Sequence, residues 1–181
     1  MVGQSCLAVG DAETAAALES LRQCADELAI YDPGPLRFLL RGARNVRCVP
    51  RTPGGLVPFL SGLDALVMRP HVWYYEDGMH EFFGARALGL PVLCPENSRW
   101  AEYVDDRVDG LRYRAHEDML RLLAELRSAT QWAHDIGTAA RTRTLDALDA
   151  GELRRRYAGL AGGTVNERVP TAVAVNRAGR T

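Results

Sequence analysis

The chain is 181 residues long, which suits one domain with a core of its own. It is 47% hydrophobic and 25% charged, the average for a globular protein, and its net charge of −1 lacks the basic excess that marks a dedicated nucleic-acid binder. All 22 cationic residues are arginine, which excludes a Schiff-base lysine, a lysine general base and a P-loop lysine. Codon usage in a GC-rich genome is the ordinary reason for such a bias.

The four cysteines, Cys6, Cys24, Cys48 and Cys94, form no C-x-x-C pair and no zinc spacing. Their mostly apolar neighbours make buried free thiols the expectation, and with it a reducing, cytoplasmic compartment. The start of the chain lacks the basic and apolar regions of a signal peptide. No run approaches the ~20 apolar residues of a membrane span.

In chain order, residues 6–9 read as a strand ending at Gly10. Residues 12–30 read as a helix, with Leu18, Leu21 and Leu28 on one face and Pro33 beyond its end. Apolar runs follow at 36–40 and 46–49, the latter closed by Pro50. Residues 54–62 read as a short helix with Leu56, Phe59 and Leu60 inward. Residues 64–68 read as a buried strand, 69–78 as a polar and aromatic loop, and 79–88 as a helix closed by Gly89.

A strand is expected at 91–94, and a short helix capped by Ser98 through Val104. Asp109–Gly110 makes a turn into a strand at 111–113. An amphipathic helix spans 116–126, and terminal helices span 130–149 and 152–160. The resulting domain covers 1–163, and residues 164–181 read as a disordered tail. Short unalternated apolar runs between helices imply a parallel sheet covered on both faces. The fold expected is α/β, a single Rossmann-like doubly wound sheet with C-terminal helices. Ligands bind such sheets beyond the carboxyl ends of the strands, which selects the loops at 50–55 and 69–78.

The second loop carries Glu76 and Asp77 and leads into the helix that starts near Gly78. Free N–H groups and the dipole make that helix start a phosphate site, even without lysine. Carboxylates there suit the hydroxyls of a sugar. On local chemistry alone, Asp77 reads as a helix cap. No metal-ligand spacing links His71, His80, His116 and His134 to Cys, Asp or Glu. No G-x-S-x-G element is present. Trp73, Tyr74 and Tyr75 read equally as a stacking platform and as a packing surface for another domain. Arg154, Arg155 and Arg156 read as a solvated helix face or, in a membrane-associated protein, as a peripheral contact with anionic lipid.

Four segments in order, across about residues 36–160, carry a resemblance to a known family. NVRCVPRTPGGLVPFLSGLDALVMRP is similar to its strand, turn, helix and "aDv.l.P" strand. GARALGLPVLCP is similar to its "EAmA.G.PVv" turn, EYVDDRVDGLRY to its "E.v.dg.nGll" segment, and ARTRTLDALDAGELRRRYAGL to its closing helices. The chain thus resembles the C-terminal, nucleotide-sugar-binding half of GT-B-fold retaining glycosyltransferases.

That resemblance implies glycosyl transfer from a nucleotide diphosphate sugar, with no further cofactor and no bound metal. It implies Glu76 as the catalytic residue contacting the sugar. Asp77, Gly78 and Met79 would offer their backbone to sugar and phosphate, and Arg51 and Thr52 would lie near the base. The family's second glutamate falls on Gly84, so Glu81, one turn earlier, is the candidate substitute. Asp11 and Glu13 stand where the family has basic residues, and Arg51, Arg69 and Arg99 are the candidate replacements.

The acceptor-binding half of the family is absent, which implies a second domain or a partner chain. Two other readings stand beside this one. The chain is a catalytically inactive interaction module or truncated remnant, or half of a sugar-nucleotide epimerase, which shares the two-Rossmann plan.

Overall fold

The computed structural model describes residues 2–5, 19, 21–23, 25–33, 40, 42, 44–68 and 78–147. The chain divides into two units between Asp146 and Ala147, and every described residue except Ala147 lies in the first. Six strands form one sheet: β1 (Val2–Ser5), β2 (Leu28–Tyr31), β3 (Val46–Val49), β4 (Ala65–Val67), β5 (Val92–Pro95) and β6 (Leu111–Tyr113). Four α-helices are described: α1 (Leu56–Ser61), α2 (Met79–Leu88), α3 (His116–Ser128) and α4 (Thr130–Ala147), with a 3-10 helix at Arg99–Tyr103. The strand order is β3-β2-β1-β4-β5-β6, and all five pairings are parallel.

Both faces of the sheet are covered, which is why the strands read as unbroken apolar runs. Successive side chains go to opposite faces. Leu28, Ile30, Ala65, Val67 and Leu93 join Leu122 and Leu126 of α3 and Ile136 of α4. Ala29, Tyr31, Leu66, Met68 and Cys94 join Phe59 and Leu60 of α1, Phe82 of α2 and Trp100. The residues with helical spacing in 116–126, namely Met119, Leu122, Leu123 and Leu126, are the buried stripe of α3.

Several expectations require correction. The first strand lies at Val2–Ser5, ahead of the expected 6–9, which are outside the described residues. The helix expected over 12–30 does not reach Ile30. Its last described hydrogen bond runs from the Ala25 amide to the Leu21 carbonyl, and Leu28–Tyr31 then pairs with strands on both sides. Leu28 continues the helical spacing of Leu21, and that coincidence hid a fully buried strand. Cys48 is exposed because β3 is an edge strand, whereas Cys94 is buried as expected. Ser98 does not cap with its side chain; its hydroxyl donates to the Pro95 carbonyl at 2.6 Å. The helix expected at 152–160, the tail at 164–181 and most of the apolar run at 36–40 lie outside the described residues.

Candidate functional site

The sheet order reverses between β1 and β4, and crevices for ligands form at the carboxyl ends of strands at such a point. Two described segments reach that edge. The loop at 50–55 leaves the end of β3, and α2 begins beyond β4. The end of β4 is held in place from β6, since the buried Tyr113 hydroxyl donates to the Met68 carbonyl at 2.7 Å.

Gly78 starts α2 in the left-handed region, with φ 89° and ψ −3°. It is buried, and a Cβ added there would stand 3.0 Å from the Met68 Cε and 3.4 Å from the Trp100 ring. Positive φ and the lack of space both require glycine at this position. Its carbonyl accepts the first helical bond, from the Phe82 amide at 2.8 Å. Phe82 stacks on Trp100 with ring centres 5.0 Å apart, which fixes the direction in which the helix leaves. The first-turn N–H groups have no helical carbonyl to donate to, and they present the positive end of the dipole at the carboxyl edge of the sheet.

Glu81 belongs to that first turn and is buried, with a side chain only 4% exposed. Its Oε1 lies 3.7 Å from Nη2 of Arg51, whose side chain is 54% exposed. That distance is an ion contact and is too long for a hydrogen bond. The other carboxylate oxygen, Oε2, is buried and has no hydrogen-bond partner among the described residues. Leaving such an acceptor unsatisfied costs about 1–3 kcal/mol, which a hydroxyl or amide donor would recover. The pair joins the β3 loop to α2, and Thr52 follows Arg51 in a turn closed by the Gly55 amide donating to the Thr52 carbonyl at 3.0 Å.

Of the residues the sequence nominated, the structure therefore brings Arg51, Thr52, Gly78, Met79 and Glu81 to one edge. Gly78 and Glu81 are buried, Met79 is half-buried, and Arg51 and Thr52 are exposed. Glu76 and Asp77 lie outside the described residues, as do His71, Trp73, Tyr74, Tyr75, Arg69, Asp11, Glu13 and Arg154–Arg156. Gly84 is a packing position. A Cβ there would approach the Leu60 Cδ1 to 3.0 Å, so the missing side chain lets α1 and α2 come together.

Sequence reasoning missed a second polar cluster. Arg86 and Asp109 are both 2% exposed in their side chains and lie 2.7 Å apart. Arg86 also donates to the Asp109 carbonyl at 2.8 Å and to the Thr144 hydroxyl at 3.2 Å. Asp109 accepts from the Asp105 amide at 2.7 Å and from Arg143 at 2.9 Å. Burial alone would push the Asp109 carboxyl up, yet hydrogen bonds from Arg86, the Asp105 amide and Arg143 outweigh it and hold it below the usual aspartate range. The available signal was the apolar stripe of α2, where Arg86 follows Phe82 and Ala85 on the buried face. At the opposite, amino edge of the sheet, a cavity of about 580 Å³ is lined mainly by aliphatic side chains such as Leu90 and Leu123. On its wall Asp26 and Arg127 pair at 2.8 Å, with Asp64 and His134 also lining it. Among the described residues no group of His, Cys, Asp and Glu could hold a metal ion, and no helix is long and apolar enough to cross a membrane.

This architecture is that of one half of the GT-B fold. HepE of Anabaena, solved with UDP-glucose, superimposes with a TM-score of 0.68 at 14% identity, over 89% of this chain and 48% of HepE. A TarM variant of S. aureus, solved with fondaparinux, alpha-GlcNAc-glycerol and UDP, gives 0.68 at 15% identity, over 90% of this chain and 35% of TarM. The C-terminal domain of LpcC, a glycosyl transferase group 1 family protein of Francisella tularensis, gives 0.61 at 12% identity, over 82% of this chain and 86% of that domain. The chain thus spans about half the length of HepE and most of the isolated LpcC domain. No protein-family model matches the sequence, and no curated protein matches it.

Proposed function

We propose that this domain binds a nucleotide diphosphate sugar and presents it for glycosyl transfer to an acceptor held by a second domain or a partner chain. One observation carries the reading. At the carboxyl edge of a 3-2-1-4-5-6 sheet, a buried carboxylate with an unsatisfied oxygen, an exposed guanidinium and a helix start built on a left-handed glycine converge. An anion suits the helix start and Arg51; a hydroxyl suits Glu81. A diphosphate esterified to a sugar offers both groups. The UDP-glucose complex of HepE, on the same fold, supports that choice.

In this reading the first-turn amides from Gly78 and Met79, with Arg51, receive the diphosphate, and Glu81 accepts a donor hydroxyl. Thr52 lies near the base. Glu76 contacts the sugar and Asp77 adds its backbone, both by resemblance alone. Transfer breaks the bond between the sugar and its diphosphate oxygen, a bond to the oxygen of an acceptor hydroxyl replaces it, and the hydroxyl proton passes to the departing diphosphate or to water. The nucleoside diphosphate leaves with the electron pair, and the positive helix end and Arg51 stabilise its charge. No lysine serves this purpose in the chain, so the load falls on Arg51 and backbone amides. The reading places the chain in the cytoplasm, in keeping with free thiols at Cys48 and Cys94.

Calorimetry with a panel of nucleotide sugars, on the chain alone and with any co-purified partner, tests the reading. Binding of at least one supports it, and no binding in either form overturns it. A second reading, an inactive interaction module, is favoured by one observation. Gly84, where the resembled family has its second glutamate, is committed to the contact with Leu60. If Glu76→Ala leaves every cellular activity intact while substitutions at Trp73 or Tyr74 abolish partner association, that second reading holds.

A further inference from the structure

We infer that Glu81 is an internal counter-ion that sets the charge selectivity of this site, so that a phosphate ligand bearing a hydroxyl-rich sugar is preferred to a bare polyanion. The choice of nucleotide-sugar as ligand rests on the reading above; the charge argument does not.

Helical side chains lean toward the N-terminus of their helix, so a first-turn glutamate covers the helix start. The carboxylate of Glu81 therefore lies beside the amides that attract anions. Its side chain is 4% exposed, so solvent screens its charge poorly. The nearest approach of Arg51 is to Oε1, at 3.7 Å, and its side chain is 54% exposed. Oε2 is buried with no donor among the described residues.

Consider two ligands at this point. A bare pyrophosphate gains Arg51 and the helix dipole, but it draws Arg51 from Glu81 and sets a dense negative charge next to a poorly screened carboxylate. It carries no sugar hydroxyl to donate to Oε2. A sugar-esterified diphosphate carries fewer charges and brings hydroxyls, each a donor for that oxygen. Glu81 thus penalises the first ligand and rewards the second. It acts as an attractive element for hydroxyls and a repulsive element against anions at once, which is how specificity between similar ligands is built. Two sources of hydroxyl satisfy the same chemistry, the ribose and the transferred sugar.

The test is calorimetry on the full chain with four probes: UDP-glucose, UDP, 2′-deoxy-UDP and inorganic pyrophosphate. Glu81→Gln is expected to weaken UDP-glucose about tenfold and to strengthen pyrophosphate about tenfold, inverting the preference. Arg51→Ala is expected to weaken all four. A ribose source predicts that the wild type discriminates UDP from 2′-deoxy-UDP and that Glu81→Gln does not. A sugar source predicts that this loss of discrimination appears between UDP-glucose and UDP instead. Thermal melting checks that the variants fold, and Glu81→Met, which removes the charge at similar volume, carries the pyrophosphate arm if Glu81→Gln does not fold.

If Glu81→Gln shifts UDP-glucose and pyrophosphate in the same direction, or leaves their ratio unchanged, the counter-ion role is overturned while the donor-site reading survives. If the wild type binds pyrophosphate but no nucleotide sugar, the donor-site reading fails. The gain in pyrophosphate affinity on charge removal then still decides the role of Glu81.

Discussion

Two Arg–carboxylate pairs involve α2, one at its first turn and one at its last, and they differ in almost every respect that matters. Arg86 and Asp109 are both buried and 2.7 Å apart; Arg86 also donates to the Thr144 hydroxyl, and Asp109 accepts from Arg143 and the Asp105 amide. Arg51 and Glu81 are 3.7 Å apart, one partner is exposed, and one carboxylate oxygen is buried with no donor among the described residues. The first pair is closed: its donors and acceptors are used up in joining α2 to the Asp109 turn and α4. The second is open. A buried charge is tolerated when its surroundings satisfy it, and where they do not, a ligand is the natural partner.

The comparison can be broken first at the closed pair. Asp109→Ala strands the Arg86 charge in the core, and chemical denaturation should show a loss of about 3–5 kcal/mol. A loss under about 1 kcal/mol would mean that the cluster is not the fastener described here. Next in size is Gly84→Glu, which restores the glutamate of the resembled family. The added side chain must displace Leu60, whose Cδ1 lies 3.0 Å from the new Cβ, and overpacking of this kind costs about 1–3 kcal/mol. Thermal melting should fall, and calorimetry should show no gain in affinity for a nucleotide sugar.

Acid sharpens the contrast further. The carboxyl of Asp109 is held below its ordinary value of 3.8 in the folded chain, so its contribution is complete above that pH and is lost as pH falls through the lowered folded value. The stability gap between wild type and Asp109→Asn, followed by urea titration, should therefore close as pH drops through that window. A gap that is constant with pH would contradict the charge account. The smallest effect on stability belongs to the open pair. Arg51→Ala should change it by no more than about 1 kcal/mol, because Arg51 is half-exposed and its 3.7 Å contact with Glu81 is too long for a hydrogen bond. The same substitution should weaken nucleotide-sugar binding about tenfold, so stability and affinity separate at this residue.

The sequence made the sheet and the edge legible but not the pairings. Unalternated runs such as those of β4 and β5 show burial on both faces, and the helix of 79–88 shows its own end in Gly89, which closes it in the left-handed region. Leu28–Tyr31 was hidden because four buried residues in a row satisfy a helical stripe as well as a strand. Arg51 and Glu81 are both visible as candidates, thirty residues apart, yet only the fold brings the β3 loop against α2. Gly84 looks like a lost glutamate in sequence and like a helix contact in space. Arg86 and Asp109 were missed because a lone arginine in a chain rich in them draws notice only when its place on the apolar stripe of α2 is weighed.

The central claim is that ligands enter at the start of α2. Titration of the isotopically labelled chain with UDP-glucose, followed by amide chemical shifts, tests it most directly. The account predicts saturable shifts concentrated at Gly78, Met79, Glu81 and the loop around Arg51. Shifts confined to the amino edge around Leu90, Leu123 and His134, or no shifts with any nucleotide sugar, would contradict it.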